Sequence, residues 1–163
     1  MTIIDVATKA VVTTVPVDAG PVGAWPGKDG LMYVDCEMAK TVVVIDPATR
    51  AVARRVTLGF TPGMAMALAS GELWVTDSSG QVVQFDPTGT ETSRFSTAEG
   101  AHGLAFSPDG ERGFVTNQLA SSVSIFDVAT RALIKTMPTA KLPNGIVFRP
   151  APRHVDLAPA KLR

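Results

Sequence analysis

An aspartate closes an apolar, strand-like run four times along this chain, at Asp5, Asp46, Asp86 and Asp127, with intervals of 41, 40 and 41 residues. Each opens a similar phrase: Asp5-Val-Ala-Thr8, Asp46-Pro-Ala-Thr49, Asp86-Pro-Thr-Gly89 and Asp127-Val-Ala-Thr130. A period of about forty residues, with several short β-type runs inside each unit, is the pattern of a β-propeller built from repeated blades. The repeat constrains architecture far more than function, because propellers host enzymes, binding platforms and scaffolds alike.

Aligned on the aspartates, the units share their chemistry. Pro21, Pro62, His102 and Pro143 follow by sixteen residues, and the aromatics Tyr33, Trp74 and Phe114 by twenty-eight. After the first group come short apolar segments, Val22–Trp25, Gly63–Leu68, Gly103–Phe106 and Gly145–Phe148, and then turns such as Pro26-Gly-Lys-Asp-Gly30 and Ser107-Pro-Asp-Gly110. Such turns are hairpin signals. Each aromatic leads a strand ending in a small polar group, and a third strand runs back to the aspartate, as in Thr41–Ile45 and Gln81–Phe85. A fourth begins after the Ala-Thr turn, as in Ala51–Val56. No segment sustains a 3.6-residue apolar period, so the expectation is an all-β chain of four-stranded antiparallel blades with essentially no helix.

The reading is one domain, 1–163, with blades at 21–57, 62–96 and 102–138. Half-blades at 2–16 and 143–158 would supply a split fourth blade from the two termini. Pairing the termini would remove exposed sheet edges. The tail Arg149-Pro-Ala-Pro-Arg153 departs from the repeat, and prolines cannot donate to a central ladder. Two further arrangements therefore stay open: two chains completing each other's split blade as a homodimer, and a part of a larger ring.

Composition excludes several function classes. With 15 basic and 15 acidic residues there is no global field to gather nucleic acid or an anionic membrane, so neither partner is indicated. Cys36 is the one cysteine, so no internal disulfide and no cysteine-rich metal site can form. The stretch Met1–Asp5 lacks a basic, then apolar leader, and no run approaches a membrane span. The expectation is a cytoplasmic chain as given, or a periplasmic or extracellular one if it belongs to a longer secreted protein.

Phe114-Val-Thr-Asn117, with Ser107-Pro-Asp-Gly110 before it and Val123-Ser-Ile-Phe-Asp127 after it, resembles the YVTN-family β-propeller repeat. Trp74-Val-Thr-Asp77 and Tyr33-Val-Asp35 look like divergent copies, and the similarity runs from about Thr2 to Phe148. The resemblance implies a propeller of a superfamily that includes surface-layer and periplasmic propellers, lactonases, amine dehydrogenase subunits and haem-binding nitrite reductase domains. Relatives in that family typically have seven blades. The repeat motif is structural and transfers no catalytic residue.

Repeated residues read as structure: the four aspartates as caps of the turn between third and fourth strands, the aromatics as packing between blades. Departures from the repeat read as candidates. His102 stands where the aligned units carry proline, near the mouth of the central channel, where a histidine can serve as general base or ligand. Asn144 falls beside Pro143, and Asp35, Asp77 and Asn117 end the second strands and could supply oxygens. Two histidines are too few for a metal site, there is no Gly-x-Ser-x-Gly elbow, and no glycine motif cradles phosphate. No cofactor or metal is expected. The sequence points to a non-enzymatic binding or scaffold module for a protein, peptide or small ligand, held on one face or at the channel mouth. The alternative is a lactonase- or lyase-type enzyme with His102 as base. A haem-supporting domain would need His102 as a lone axial ligand, with no Cys-x-x-Cys-His attachment.

Overall fold

A computed structural model describes residues 1–148. Among these residues there is no helix, and fourteen strands form three four-stranded antiparallel sheets and one two-stranded sheet. The short sheet joins β1 (Thr2–Ile4) to β2 (Val11–Thr14). The first blade holds β3 (Pro21–Pro26), β4 (Met32–Cys36), β5 (Thr41–Asp46) and β6 (Ala51–Thr57). The second holds β7 (Pro62–Ala67), β8 (Leu73–Asp77), β9 (Gln81–Phe85) and β10 (Glu91–Ser96), and the third β11 (Ala101–Phe106), β12 (Arg112–Asn117), β13 (Ser122–Asp127) and β14 (Leu133–Pro138). Each is a simple meander, the order that consecutive hairpins produce.

First strands touch across blades, β3 with β7 and β7 with β11, so they line the inside of an arc. Fourth strands form its rim, and every residue of β14 is exposed. The core is the set of faces between blades. Tyr33, Val42 and Val44 of the first blade pack on Ala65, Leu73, Val75 and Phe85 of the second. Trp74 and Val82 pack on Leu104, Val115 and Phe126 of the third. On the other side of the first blade, Val34, Val43 and Ile45 meet Val15, Met1 and Ile3, which docks the two-stranded sheet.

The aromatic at the head of each second strand is the key of its interface. Tyr33 and Trp74 are fully buried, and the Trp74 ring stacks on Phe126 at 5.7 Å between centroids, with Phe106 and Phe95 edge-on. Removing such a side chain costs about 3–5 kcal/mol. Phe114 faces outward from the third blade and meets Phe148 at 5.9 Å.

That contact bears on the expected terminal half-blade. Residues 143–148 form no strand, contrary to the strand expected over Gly145–Phe148. They nevertheless run beside the third blade: the Thr116 hydroxyl of β12 donates to the Asn144 carbonyl at 2.6 Å, and that carbonyl lies against Gly103 of β11. A strand needs a ladder partner, and the second strand expected near 153–157 lies outside the described residues. The two-stranded sheet receives no strand from 143–148, so no fourth sheet is completed among the described residues. The arrangement is an arc of blades, a partial propeller.

Candidate functional site

Each of the four aspartates caps its own turn. Asp5 Oδ1 accepts from the Thr8 amide at 2.7 Å and its hydroxyl at 2.8 Å, and Asp127 Oδ1 accepts the same pair from Thr130. Asp46 accepts from the Ala48 amide, and Asp86 from the amides of Thr88 and Thr90. These bonds hold all four carboxyls below the usual range, first through Thr8, Ala48, Thr88 and Thr130 respectively. They are capped turns, each carboxyl spending Oδ1 on its own turn.

A second repeated device joins blade to blade. In the second blade the buried Thr76 hydroxyl accepts the Met64 amide at 2.8 Å and donates to the His102 carbonyl of the third blade at 2.5 Å. In the third, Thr116 accepts the Gly103 amide at 2.7 Å and donates to the Asn144 carbonyl. A hydroxyl suits this place because it can do both at once.

The clasp shows where the candidate residues stand. Ala101 lies opposite Asn117 as Pro21 lies opposite Cys36 and Pro62 opposite Asp77. His102 is therefore one position beyond the prolines, a correction to the alignment by residue count. His102 and Asn144 are equivalents, each lending its carbonyl to a threonine clasp. The His102 ring is half-buried with Nδ1 buried and unbonded, whereas Asn144 is exposed. Asp77 caps the next turn, accepting the Ser79 amide at 3.0 Å. Asn117 is fully buried and donates to Ser122 and Ser124, which ties β12 to β13.

Asp35 does not belong with Asp77 and Asn117. It pairs with Val42 as Thr76 pairs with Val82 and Thr116 with Val123, so it occupies the clasp position, and Cys36 is the equivalent of Asp77. Asp35 is fully buried; Oδ1 accepts the Trp25 indole N–H at 3.0 Å, and Oδ2 has no partner. Burial pushes its carboxyl above the usual range, and the neighbouring Glu37 adds to that. Gly23 makes the arrangement possible: a β-carbon there would lie 2.6 Å from the indole nitrogen and 2.8 Å from Asp35 Oδ1.

Trp25 is the departure that composition and counting missed. Opposite Tyr33, it holds the position taken by Met66 opposite Trp74 and Ala105 opposite Phe114. With Met64, Met66, Leu104, Phe106 and Phe148 it lines a cavity of about 320 Å³ inside the arc. None of His102, Asn144, Asp35, Asp77 and Asn117 lines it. No group of three or more His, Cys, Asp or Glu side chains is placed to hold a metal among the described residues. The inside of the arc can offer apolar contact, thioether sulfurs and aromatic faces, with one buried carboxyl behind an indole.

The fold recurs in solved structures. Hydrazine synthase of Kuenenia stuttgartiensis superposes with a TM-score of 0.71 at 20% identity, over 82% of this chain and 40% of its own. The dihydro-heme d1 dehydrogenase NirN gives 0.70 at 16% identity, over 88% and 34%. AztD of Citrobacter koseri gives 0.58 at 14% identity, over 78% and 36%. The chain thus spans between a third and two fifths of these proteins, and at such identities the likeness is one of propeller fold alone. No curated protein matches the sequence. One family model does match, over residues 1–144, and the chain belongs to that family, a repeat of unknown function (DUF6923).

Proposed function

We propose that this chain is a non-enzymatic binding module of the YVTN-repeat type whose ligand is a small molecule seated inside the arc, among the first strands of the blades. The observation that carries this is the apolar groove lined by Trp25, Met64, Met66, Leu104 and Phe106, at the edge of the cluster between the second and third blades to which they also belong. Concave apolar sites with few polar groups are the usual form of a small-ligand pocket. Two of the polar candidates have structural bonds of their own, Asp77 in a turn and the Asn117 amide nitrogen between strands, and neither lines the groove. Titration with soluble apolar compounds should shift the indole N–H resonance of Trp25 and spare that of buried Trp74. Met66→Gln should abolish the shift. Compounds that move neither resonance, across a panel of apolar shapes, would end this reading.

A second reading rests on His102, whose Nδ1 is buried and unbonded. A base there would serve a lactonase- or lyase-type reaction. Turnover across a lactone panel that His102→Ala abolishes, with the fold intact by circular dichroism, would favour it over the binding module.

A further inference from the structure

The groove has an electrostatic back wall. Asp35 replaces the clasp threonine of the other two blades, and Trp25 replaces Met66 and Ala105. The two departures are bonded to each other, and Gly23 leaves them room. A threonine in place of Asp35 would serve the clasp as Thr76 and Thr116 do; a carboxylate cannot donate, and its Oδ2 is left buried without a partner. The exchange gives up an interblade bond and places a carboxyl, a negative charge wherever it ionises, at the N–H edge of an indole that faces the cavity. Electron density at an aromatic face attracts cations, and an anion at the N–H edge strengthens that field. Glu37 lies near enough to Asp35 to add to the negative potential. Among the described residues that line the groove there is no cationic side chain.

We infer that the groove selects a small apolar cation, a quaternary or tertiary ammonium carried on an aromatic or aliphatic body, with Trp25 against the cation and Asp35 at the N–H edge of its ring. The inference rests on the groove being the ligand site. Methionine sulfur and aromatic edges suit the apolar body, as adaptable contacts. A cation gives up more hydration than its neutral isostere on entering such a groove, so it binds more tightly only if the Asp35–Trp25 pair repays that loss.

The test uses an isosteric pair, (4-hydroxyphenyl)trimethylammonium and 4-tert-butylphenol, read by calorimetry and by the Trp25 indole resonance. The ammonium is expected to bind roughly ten-fold more tightly than the neutral probe, the size of one desolvated cation–aromatic contact. Asp35→Asn keeps an acceptor oxygen for the indole and removes the charge; it should bring the two affinities together and leave that of the phenol unchanged. Asp35→Thr and Trp25→Met install residues the other blades carry at these positions, so both variants should fold and both should lose the preference. Equal affinities in the unaltered protein, or a preference that survives Asp35→Asn, would overturn the cation inference and leave the groove as a ligand site. If neither probe binds or shifts the Trp25 resonance, the cation inference falls together with the groove reading for ligands of this shape.

Discussion

Replacing Thr76 by valine keeps the volume of a buried side chain and removes one hydroxyl, so it isolates the clasp. Apolar transfer alone would predict a gain, because valine buries more hydrocarbon. The structure predicts a loss. Thr76 is fully buried, and its oxygen is the partner of the Met64 amide, which valine would leave buried and unsatisfied. Such an orphaned donor costs about 1–3 kcal/mol. The bond to the His102 carbonyl adds about 0.5–1.5 kcal/mol, at the low end because that residue is half-buried and its carbonyl can recruit water. Together the expected destabilisation is about 1.5–3.5 kcal/mol. Thr76→Ser keeps the hydroxyl and loses a methyl group, for about 1 kcal/mol. Urea unfolding followed by far-ultraviolet circular dichroism should therefore rank the unaltered protein above the serine variant and the serine variant above the valine. Hydrogen exchange adds a local readout, with the Met64 amide losing protection in the valine protein before its neighbours do. A valine variant as stable as the serine one would refute the claim that this hydroxyl joins the blades.

Asp35→Asn should behave in the opposite way at neutral pH. The folded state raises the Asp35 pKa above its unfolded value, so ionisation opposes folding: full stability is present below the unfolded carboxyl pKa and is lost as pH rises through the folded value. The asparagine protein should have the higher urea midpoint at pH 7, an advantage that disappears at about pH 3.5. The turn aspartates have the opposite sign. Their folded values are depressed, so their contribution is present above about pH 4 and fades as pH falls through the folded values, which a series of melts between pH 5 and 2 would register. Gly113→Ala should be among the most damaging small changes. Its β-carbon would fall within the Phe126 ring, which is stacked on Trp74, and displacing that ring should cost about 3 kcal/mol in the same urea assay.

The blades were legible because their signals are local. An aspartate followed by a two- or three-residue turn and a threonine specifies its own hydrogen bonds, whatever lies beyond it, and Asp5, Asp46, Asp86 and Asp127 each make them. The aromatics at 33, 74 and 114 were legible for a related reason: one position per blade must fill the gap to the next, and Tyr33 and Trp74 do so at the first and second interfaces. What residue counting could not supply was register. Each first strand carries an irregularity, between Pro21 and Gly23, Pro62 and Ala65, and Ala101 and Leu104. That irregularity is the same in all three, one extra residue on the first strand, but the lengths around it differ. Fifteen residues separate Asp86 from Ala101 where sixteen separate Asp5 from Pro21 and Asp46 from Pro62, and the turn from β11 to β12 is one residue longer than its counterparts, so equal spacing from an aspartate stops meaning equal position. That is why His102 aligned with prolines by number and with Val22 and Gly63 in space.

The candidate site was hidden in a different way. Equal spacing puts Asp35, thirty residues after Asp5, with Thr76 and Thr116, thirty after Asp46 and Asp86; its grouping with Asp77 and Asn117 followed from all three being small, polar and at the end of a strand-like run. Pairing separates them, since Asp77 and Asn117 lie opposite Gln81 and Ser122 while Asp35 lies opposite Val42. Placed correctly, Asp35 is a departure from a threonine that has two bonds to make, and only then does Trp25 become a departure too. Neither residue is unusual alone: a buried aspartate can cap, and a tryptophan can fill a core. Their information lies in the pair, in the 3.0 Å bond between them, and in the glycine that lets the indole lie across the strand. In a repeat protein the other blades give the local reference state for such a comparison, so a substitution that forfeits an interblade bond calls for a compensating role. The groove in front of Trp25 is where that role can be measured.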